Sequence, residues 1–240
     1  MTVIDFAQAK RERQEQLCPL AREIAVTLPA GMTLPEPLTL LFRWIEASGF
    51  CRQGRTGRTG YLCPPEVLHA PMIGNERCGG TYVIFGPQDP LDLKYWFGSE
   101  NPEIFARLCI IAEINGDGSR VALWQADDGS QKLVLVGSGS GCGLVCVLAD
   151  DPVDFLRLLA IGYDEIYEAE LAHPPNTGSD YITHPNLAFG GWVERTFGVT
   201  IPTRGCEIVR HPAWMHADAS PDPFWQWVKR MSGSPPLFED

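Results

Sequence analysis

The feature that most restricts the fold is a series of short, β-branched runs in the middle of the chain. These runs are residues 81–85, 108–114, 120–125, 132–136 and 144–148. Asn115-Gly116-Asp117-Gly118 separates the second run from the third, and Asp127-Asp128-Gly129 separates the third from the fourth. Asn-Gly and Asp-Gly between strand-like runs are typical of tight hairpins. With no helical pattern visible between these runs, the sequence predicts a central antiparallel sheet from about residues 81 to 148.

Helical patterns precede this strand-rich region. The stretch from Asp5 to about Thr27 is expected to form one helix, and a second is expected from Leu38 to Ile45, where the apolar residues have helical spacing. Between the helix and the first strand, the basic, glycine-rich segment from Arg52 to Gly60 is predicted to be a flexible loop. We expect residues 1–37 to form an N-terminal helical extension and residues 38–240 to form the main domain.

Further helical patterns follow the strands. Asp151-Pro152 has the form of an N-cap followed by proline at the first helical position, and the apolar stripe continues to about Ala172. Gly162 interrupts the stripe, and this interruption predicts a bend, or a break between two helices, at that position. Pro185-Asn186 and Asp222-Pro223 open two later helices. The predicted fold class is therefore α+β, with a central, curved antiparallel sheet flanked by N- and C-terminal helices.

The composition limits the classes of function. The net charge is −11, and this disfavours direct nucleic-acid binding, which depends on lysine and arginine contacts to phosphates. An acidic surface serves solubility or the binding of a basic partner. The start of the chain has no signal-peptide pattern, and no apolar run approaches the ~18 residues of a membrane span. We therefore expect a cytoplasmic protein without membrane association.

The residues that carry common chemistries form no recognisable motif. The eight cysteines contain no CxxC pair and are expected to be free thiols, mostly buried. Cys206, His211 and His216 do not have the close paired spacing of a zinc site, so neither a metal nor a cofactor is expected. The segment from Gly137 to Gly143 lacks the lysine of a phosphate-binding loop and is expected to be a turn. GxSxG, HExxH and kinase signatures are also missing.

An acidic cluster follows the first C-terminal helical stripe. It consists of Asp164, Glu165, Glu168 and Glu170, and the spacing predicts that 164 and 165 share a helix face with 168. Such a cluster can be a solvated helix face, a protein-binding face or a carboxylate pair for glycosidic chemistry. For the binding alternative, the nearby tyrosines Tyr163, Tyr167 and Tyr181 are candidate anchors, because a few aromatic residues dominate many interfaces.

Several segments resemble one known family. Ile111-Ala112-Glu113, Asn115-Gly116-Asp117-Gly118-Ser119 and Val121-Ala122-Leu123-Trp124 are similar to a hairpin of the SUKH superfamily, which is named for yeast cell-wall synthesis regulators. Val134 to Ser138 resembles the next strand and turn, and Asp151 to Tyr163 resembles the helix that follows. Segments between Pro185 and Val228 resemble the C-terminal part of longer members.

The resemblance implies a curved antiparallel sheet and a role as an immunity protein. Such a protein binds and neutralises a cognate secreted bacterial toxin, here expected to be a nuclease delivered by a type VI or contact-dependent system. The family offers no agreed catalytic residues to transfer to this chain. An acidic inhibitor could cover the basic cleft of a nuclease, so the charge agrees with this expectation.

Alternatives to the immunity role remain at this point. A regulatory scaffold, like the yeast members, would also bind proteins without catalysis, whereas an enzyme of another type would require a cleft with a perturbed carboxylate or thiol. A homodimer is also possible, formed through an edge strand or through an exposed aromatic such as Trp214 or Trp225.

Overall fold

A computed structural model describes residues 17–70 and 74–232 of the chain. The helices are α1 (Pro19–Thr27), α2 (Glu36–Ala47), α3 (Pro65–Leu68), α4 (Leu91–Phe97), α5 (Pro102–Arg107), α6 (Pro152–Ile161), α7 (Glu168–Leu171), α8 (Leu187–Phe197), a 3-10 turn (Gly205–Glu207) and α9 (Pro223–Ser232). The strands are β1 (Cys51–Gln53), β2 (Arg58–Tyr61), β3 (Glu76–Arg77), β4 (Val83–Phe85), β5 (Leu108–Ile114), β6 (Ser119–Gln125), β7 (Gln131–Val136), β8 (Val145–Ala149) and β9 (Ile182–Thr183).

The central sheet is antiparallel, which confirms the predicted α+β class. Its seven strands have the order β1-β2-β4-β5-β6-β7-β8 within the described residues, while β3 and β9 form a separate parallel pair. The register shifts between Ile110 and Ala112 and again between Leu133 and Val134. Such bulges bend a strand locally and increase its twist. Five consecutive residues of β5, from Leu108 to Ala112, are buried, so both faces of the sheet are covered there.

Two predictions about the region before β5 are wrong. The segment Arg52–Gly60 is a hairpin of β1 and β2 at the sheet edge, not a loop. Its basic residue Arg58 is fixed by acids of two helices, since its side chain donates to Glu46 and its backbone N–H donates to Glu23 Oε2 at 2.6 Å. The expected absence of helices between the strands is also wrong, because α4 and α5 connect β4 to β5.

The N-terminal helix begins later than predicted. Cys18 is extended, with ψ 161°, and Pro19 opens α1, so one continuous helix from Asp5 to Thr27 is wrong in its described part. Residues 5–16 of that prediction lie outside the described residues. Leu20, Ala21 and Ile24 are fully buried in the hydrophobic core that also contains the sheet. Within the described part of the proposed extension, α1 therefore packs as a component of the main core.

Helix caps place the C-terminal elements where the sequence predicts them. The side chain of Asp151 accepts a hydrogen bond from Val153 N–H and caps α6, while Asn186 accepts one from Phe189 N–H and caps α8. Helix α6 packs against α8 and β8, and α9 packs against β8. On α9, Phe224 and Trp227 surround Trp124 of β6, with ring centroids 5.3 and 5.8 Å apart from it. Helices that follow β8 in the chain therefore cover the part of the sheet around this strand.

The free edge of β8 is partly closed by a later segment. Leu144 bridges to Trp214, and Val145 N–H donates to the Ala213 carbonyl at 2.8 Å. Trp214 is 45% exposed, whereas Trp225 is buried and donates its indole N–H to the Trp214 carbonyl at 3.0 Å. The expectation of an exposed Trp225 is therefore wrong, because this side chain fixes the segment that covers β8.

Candidate functional site

The chain changes direction sharply at the start of the acidic cluster. Gly162 ends α6 in the left-handed conformation, with φ 95°. A Cβ at this position would lie 2.6 Å from Pro185 Cβ, so both the backbone angle and the close approach require glycine. Residues 163–167 then run outside a helix until α7 begins at Glu168. The predicted break at Gly162 is confirmed, but the helix face shared by positions 164, 165 and 168 is wrong.

The turn between β5 and β6 holds this segment in place. Asn115 is fully buried and left-handed, with φ 61°, a conformation that asparagine tolerates better than most residues. Its side-chain Nδ2 donates to the Ile166 carbonyl at 3.2 Å, and its Oδ1 accepts from Ile166 N–H at 2.8 Å. These two bonds pair the N–H and the carbonyl of Ile166, which would have been paired within the helix if α6 had continued. The Asn-Gly turn therefore anchors the acidic segment as well as joining two strands.

Glu165 has a structural role next to the same turn. Its Oε1 accepts from Gly116 N–H at 2.7 Å, and its Oε2 accepts from the Tyr167 hydroxyl at 2.6 Å. Burial, and then the hydrogen bond to Glu165, raise the pKa of Tyr167 well above its usual range. The carboxylate of Glu165 is thus engaged within the protein.

Asp164 is also paired within the protein. Arg77, in β3, donates to Asp164 Oδ1 at 2.5 Å, and both side chains are more than four-fifths buried. Burial raises the pKa of Asp164, although the positive charge of Arg77 opposes this effect and the charge of Glu165 adds to it. The pair links the small β3–β9 sheet to the acidic segment.

The two remaining acids lie on helix α7, which we call the acidic ridge (Glu168–Leu171). Leu171 is buried, whereas Glu168, Ala169 and Glu170 are exposed. Positions two apart project from opposite sides of a helix. Accordingly, Glu168 and Glu170 line two different pockets, one on each side of the ridge.

The first pocket, which we call the tyrosine pocket, has a volume of about 170 Å³. It is lined by Tyr163, Asp164, Glu170, Tyr181 and Thr183, together with the loop 173–179. Partial burial, and then the charges of Asp164 and Glu165, raise the pKa of Glu170. Tyr181 is 38% exposed and so remains available as an anchor.

Tyr163 does not fit its predicted role as a surface anchor. It is 1% exposed. Its hydroxyl donates to the His173 carbonyl at 2.6 Å and accepts from Gly205 N–H at 2.7 Å. Tyr163 therefore builds the wall of the pocket by tying its loop to the 3-10 turn. The sequence could not indicate this role, since both partners are backbone groups distant from the tyrosine along the chain.

Thr183 contributes an unpaired polar group to the tyrosine pocket. The residue is 1% exposed, and its hydroxyl oxygen has no hydrogen-bond partner among the described residues. Its backbone is satisfied by Asn176, whose Oδ1 accepts from Thr183 N–H at 2.8 Å and whose Nδ2 donates to the Thr183 carbonyl at 3.1 Å. Among the hydrogen-bonding groups of Thr183, the buried hydroxyl is thus the one without a partner in the described residues.

The second pocket, which we call the tryptophan pocket, has a volume of about 470 Å³. Cys142, Leu144, Tyr167, Glu168 and Trp214 contribute to its mostly apolar lining. Trp214 lies directly on Gly143, where a Cβ would come within 2.5 Å of the indole ring. The sequence suggested Trp214 for self-association but did not place it next to the acidic cluster, because residues 143 and 214 meet only in the folded chain.

Metal-ligating residues and thiols are the other chemical groups of interest in the described residues. No group of three or more His, Cys, Asp or Glu in residues 17–70 and 74–232 is arranged to hold a metal ion. All eight cysteines are unpaired. Burial raises the pKa of the Cys51 and Cys63 thiols to about 11 and also raises that of Cys109 and Cys142. These thiols are therefore protonated at neutral pH and are poor nucleophiles.

Comparisons with known proteins identify no relative. No family model, no characterised protein and no solved structure matches the chain. In the part of the chain that the structure describes, none of the helices has the length and apolar character needed to cross a membrane.

Proposed function

We propose that the protein acts by binding another protein at the acidic ridge and its two flanking pockets. The partner is a basic toxin, a nuclease in keeping with the SUKH resemblance, and binding neutralises it. The observation that carries this proposal is the arrangement of α7. It presents two carboxylates, Glu168 and Glu170, whose side chains have no partner among the described residues, beside two partly exposed aromatic residues, Tyr181 and Trp214.

The charge around the ridge supports a basic partner. Between Tyr163 and Tyr181 the chain has five carboxylates and neither lysine nor arginine. Opposite charges increase the rate of encounter and select the partner, whereas affinity comes from a few desolvated anchors. Tyr181 and Trp214 are suited to that second role, because each combines a large apolar surface with partial exposure.

One observation favours an enzyme as the second candidate. Asp164 and Glu170 line the same pocket, and both have raised pKa values. A catalytic acid needs such a carboxyl group. The ion pair between Asp164 and Arg77 at 2.5 Å gives Asp164 a structural partner, however, and Tyr163 in the same wall is bonded to backbone groups. These contacts favour a binding surface over a hydrolytic pair.

The proposed function is tested by survival of cells that express a toxin. A candidate nuclease toxin is expressed from an inducible promoter with and without this protein. We expect growth only when the wild-type protein is present, because binding covers the active cleft of the toxin.

The matched control is the double variant Glu168→Lys with Glu170→Lys, which should reach the same soluble level and protect poorly. Cell death in the presence of abundant wild-type protein would reject the immunity function. Full protection by the double variant would instead reject the acidic ridge as the binding surface.

A further inference from the structure

The tyrosine pocket is too small for most metabolites but suits a single side chain. Its volume of about 170 Å³ is below the ~300–1,000 Å³ typical of small-molecule sites. The pocket opens beside the acidic ridge, where a protein partner would dock under the proposed function. A side chain that projects from this partner is therefore the occupant that fits the size and position of the pocket.

The polar groups of the pocket select a cation with several donors. Two carboxylates, Asp164 and Glu170, line it, and the hydroxyl of Thr183 supplies a buried acceptor without a partner. Arg77 binds one oxygen of Asp164, so the other oxygen keeps acceptor capacity. A planar guanidinium has five N–H donors in a fixed fork, whereas an ammonium has three and presents a point charge.

The aromatic wall favours the same ligand. Tyr181 is 38% exposed and lines the pocket beside the carboxylates. A guanidinium can stack on such a ring while its edge donates hydrogen bonds, and desolvation strengthens this contact. A neutral ligand would leave Glu170 without a counter-charge, whereas Asp164 already has Arg77.

We propose that the tyrosine pocket is a binding site for a guanidinium group, supplied by an arginine side chain of the protein partner. This proposal rests on the proposed function for the source of the arginine but not for the chemistry of the site. The guanidinium donates to Glu170 and to the free oxygen of Asp164, and the Thr183 hydroxyl accepts a further hydrogen bond. Tyr181 packs against its face.

The test uses L-arginine amide as the probe and backbone amide NMR shifts of the full chain as the readout. We expect saturable shifts at residues of the pocket, such as Asn176 and Tyr181, at millimolar concentrations. Citrulline amide has nearly the same shape and the same α-ammonium group but an uncharged side chain, and its apparent affinity, fitted from the shifts, should be at least about tenfold weaker, equivalent to ~1.4 kcal/mol. Lysine amide should bind more weakly than arginine amide.

Two variants assign the binding to this pocket. Glu170→Gln removes one exposed carboxylate with little risk to folding and should weaken the binding of arginine amide by about tenfold. Thr183→Val replaces only the hydroxyl, by a methyl group, and should also weaken this binding. Glu168→Gln is the matched control, since it removes one charge on the other side of the ridge and should change the affinity by less than about twofold. Equal binding of arginine and citrulline amides, or equal effects of the two glutamine variants, would overturn the proposal.

This test and the survival test fail independently. If arginine amide binds as expected but the protein gives no protection, the guanidinium site stands and the immunity function is rejected. Protection that is insensitive to Glu170→Gln, together with no shifts from arginine amide, would reject the site and leave the immunity function standing.

Discussion

At the scale of single residues, Tyr163 shows how a buried side chain can fix the shape of a pocket at the surface above it. Its hydroxyl joins the His173 carbonyl to the Gly205 N–H and has almost no contact with solvent. The loop that it holds carries much of the lining of the tyrosine pocket. The residue thus contributes to the shape of the site rather than to contact with a partner.

Tyr163→Phe should lower the free energy of unfolding by about 1–3 kcal/mol. The reason is that removal of the hydroxyl leaves the buried N–H of Gly205 without an acceptor, and an unsatisfied buried group costs about this much. Urea unfolding followed by tryptophan fluorescence measures the change. Tyr181→Phe is the control, because Tyr181 is partly exposed, and it should change stability by less than about 0.5 kcal/mol. Equal effects of the two substitutions would contradict the role assigned to Tyr163.

At the scale of elements, Asp222 connects β8, an edge strand of the central sheet, to the last described helix, α9. Its Oδ1 accepts from Trp225 N–H at 2.8 Å and caps α9, while its Oδ2 accepts from Val147 N–H of β8 at 2.9 Å. Asp222 is 1% exposed, and burial raises its pKa although these backbone hydrogen bonds oppose the increase. One carboxyl group therefore fixes the position of α9 relative to the sheet.

Asp222→Ala should lower the free energy of unfolding by about 2–4 kcal/mol, since it removes an N-cap and leaves a strand N–H unpaired. Thermal and urea unfolding both report this loss. The matched control is Asp218→Ala, which removes an exposed carboxylate from the preceding loop and should be nearly neutral. A stability unchanged by Asp222→Ala would show that the packing of Phe224 and Trp227 alone positions the helix.

Elements with local signals are the ones that the sequence predicts well. Strands β5, β6 and β7 follow from β-branched runs and Asn-Gly or Asp-Gly turns, and α6 and α9 follow from an aspartate before a proline. The β1–β2 hairpin has no such signal, because its glycines and arginines are typical of a loop. In the folded chain, Glu23 and Glu46 bind Arg58 and hold the hairpin in place. Contacts distant in sequence decide that element.

At the scale of the whole molecule, the candidate site depends on contacts that no local pattern encodes. Arg77 and Asp164 are 87 positions apart, and Asn115 and Ile166 are 51 apart. The acidic residues were recognisable from the sequence, but their division into two structural carboxylates and two exposed ones was not. That division follows from the anchoring of the segment at Asn115 and Arg77, and it determines which acids remain for a partner.

The proposed function depends on the binding of a basic protein at the acidic ridge. The most direct measurement is isothermal titration calorimetry of a toxin neutralised in the survival test, with the wild-type protein and with Glu168→Lys/Glu170→Lys. We expect the double reversal to weaken binding by at least about a hundredfold, equivalent to ~2.8 kcal/mol, and to reduce its dependence on salt.

The matched control for this measurement is Glu36→Lys/Glu194→Lys, which changes the net charge equally at exposed positions outside both pockets. We expect this control to bind the toxin with an affinity within about threefold of wild type, or ~0.7 kcal/mol. Equal loss of affinity in both double variants would show that only the overall charge matters, and unchanged affinity after reversal of Glu168 and Glu170 would show that the acidic ridge does not bind the toxin.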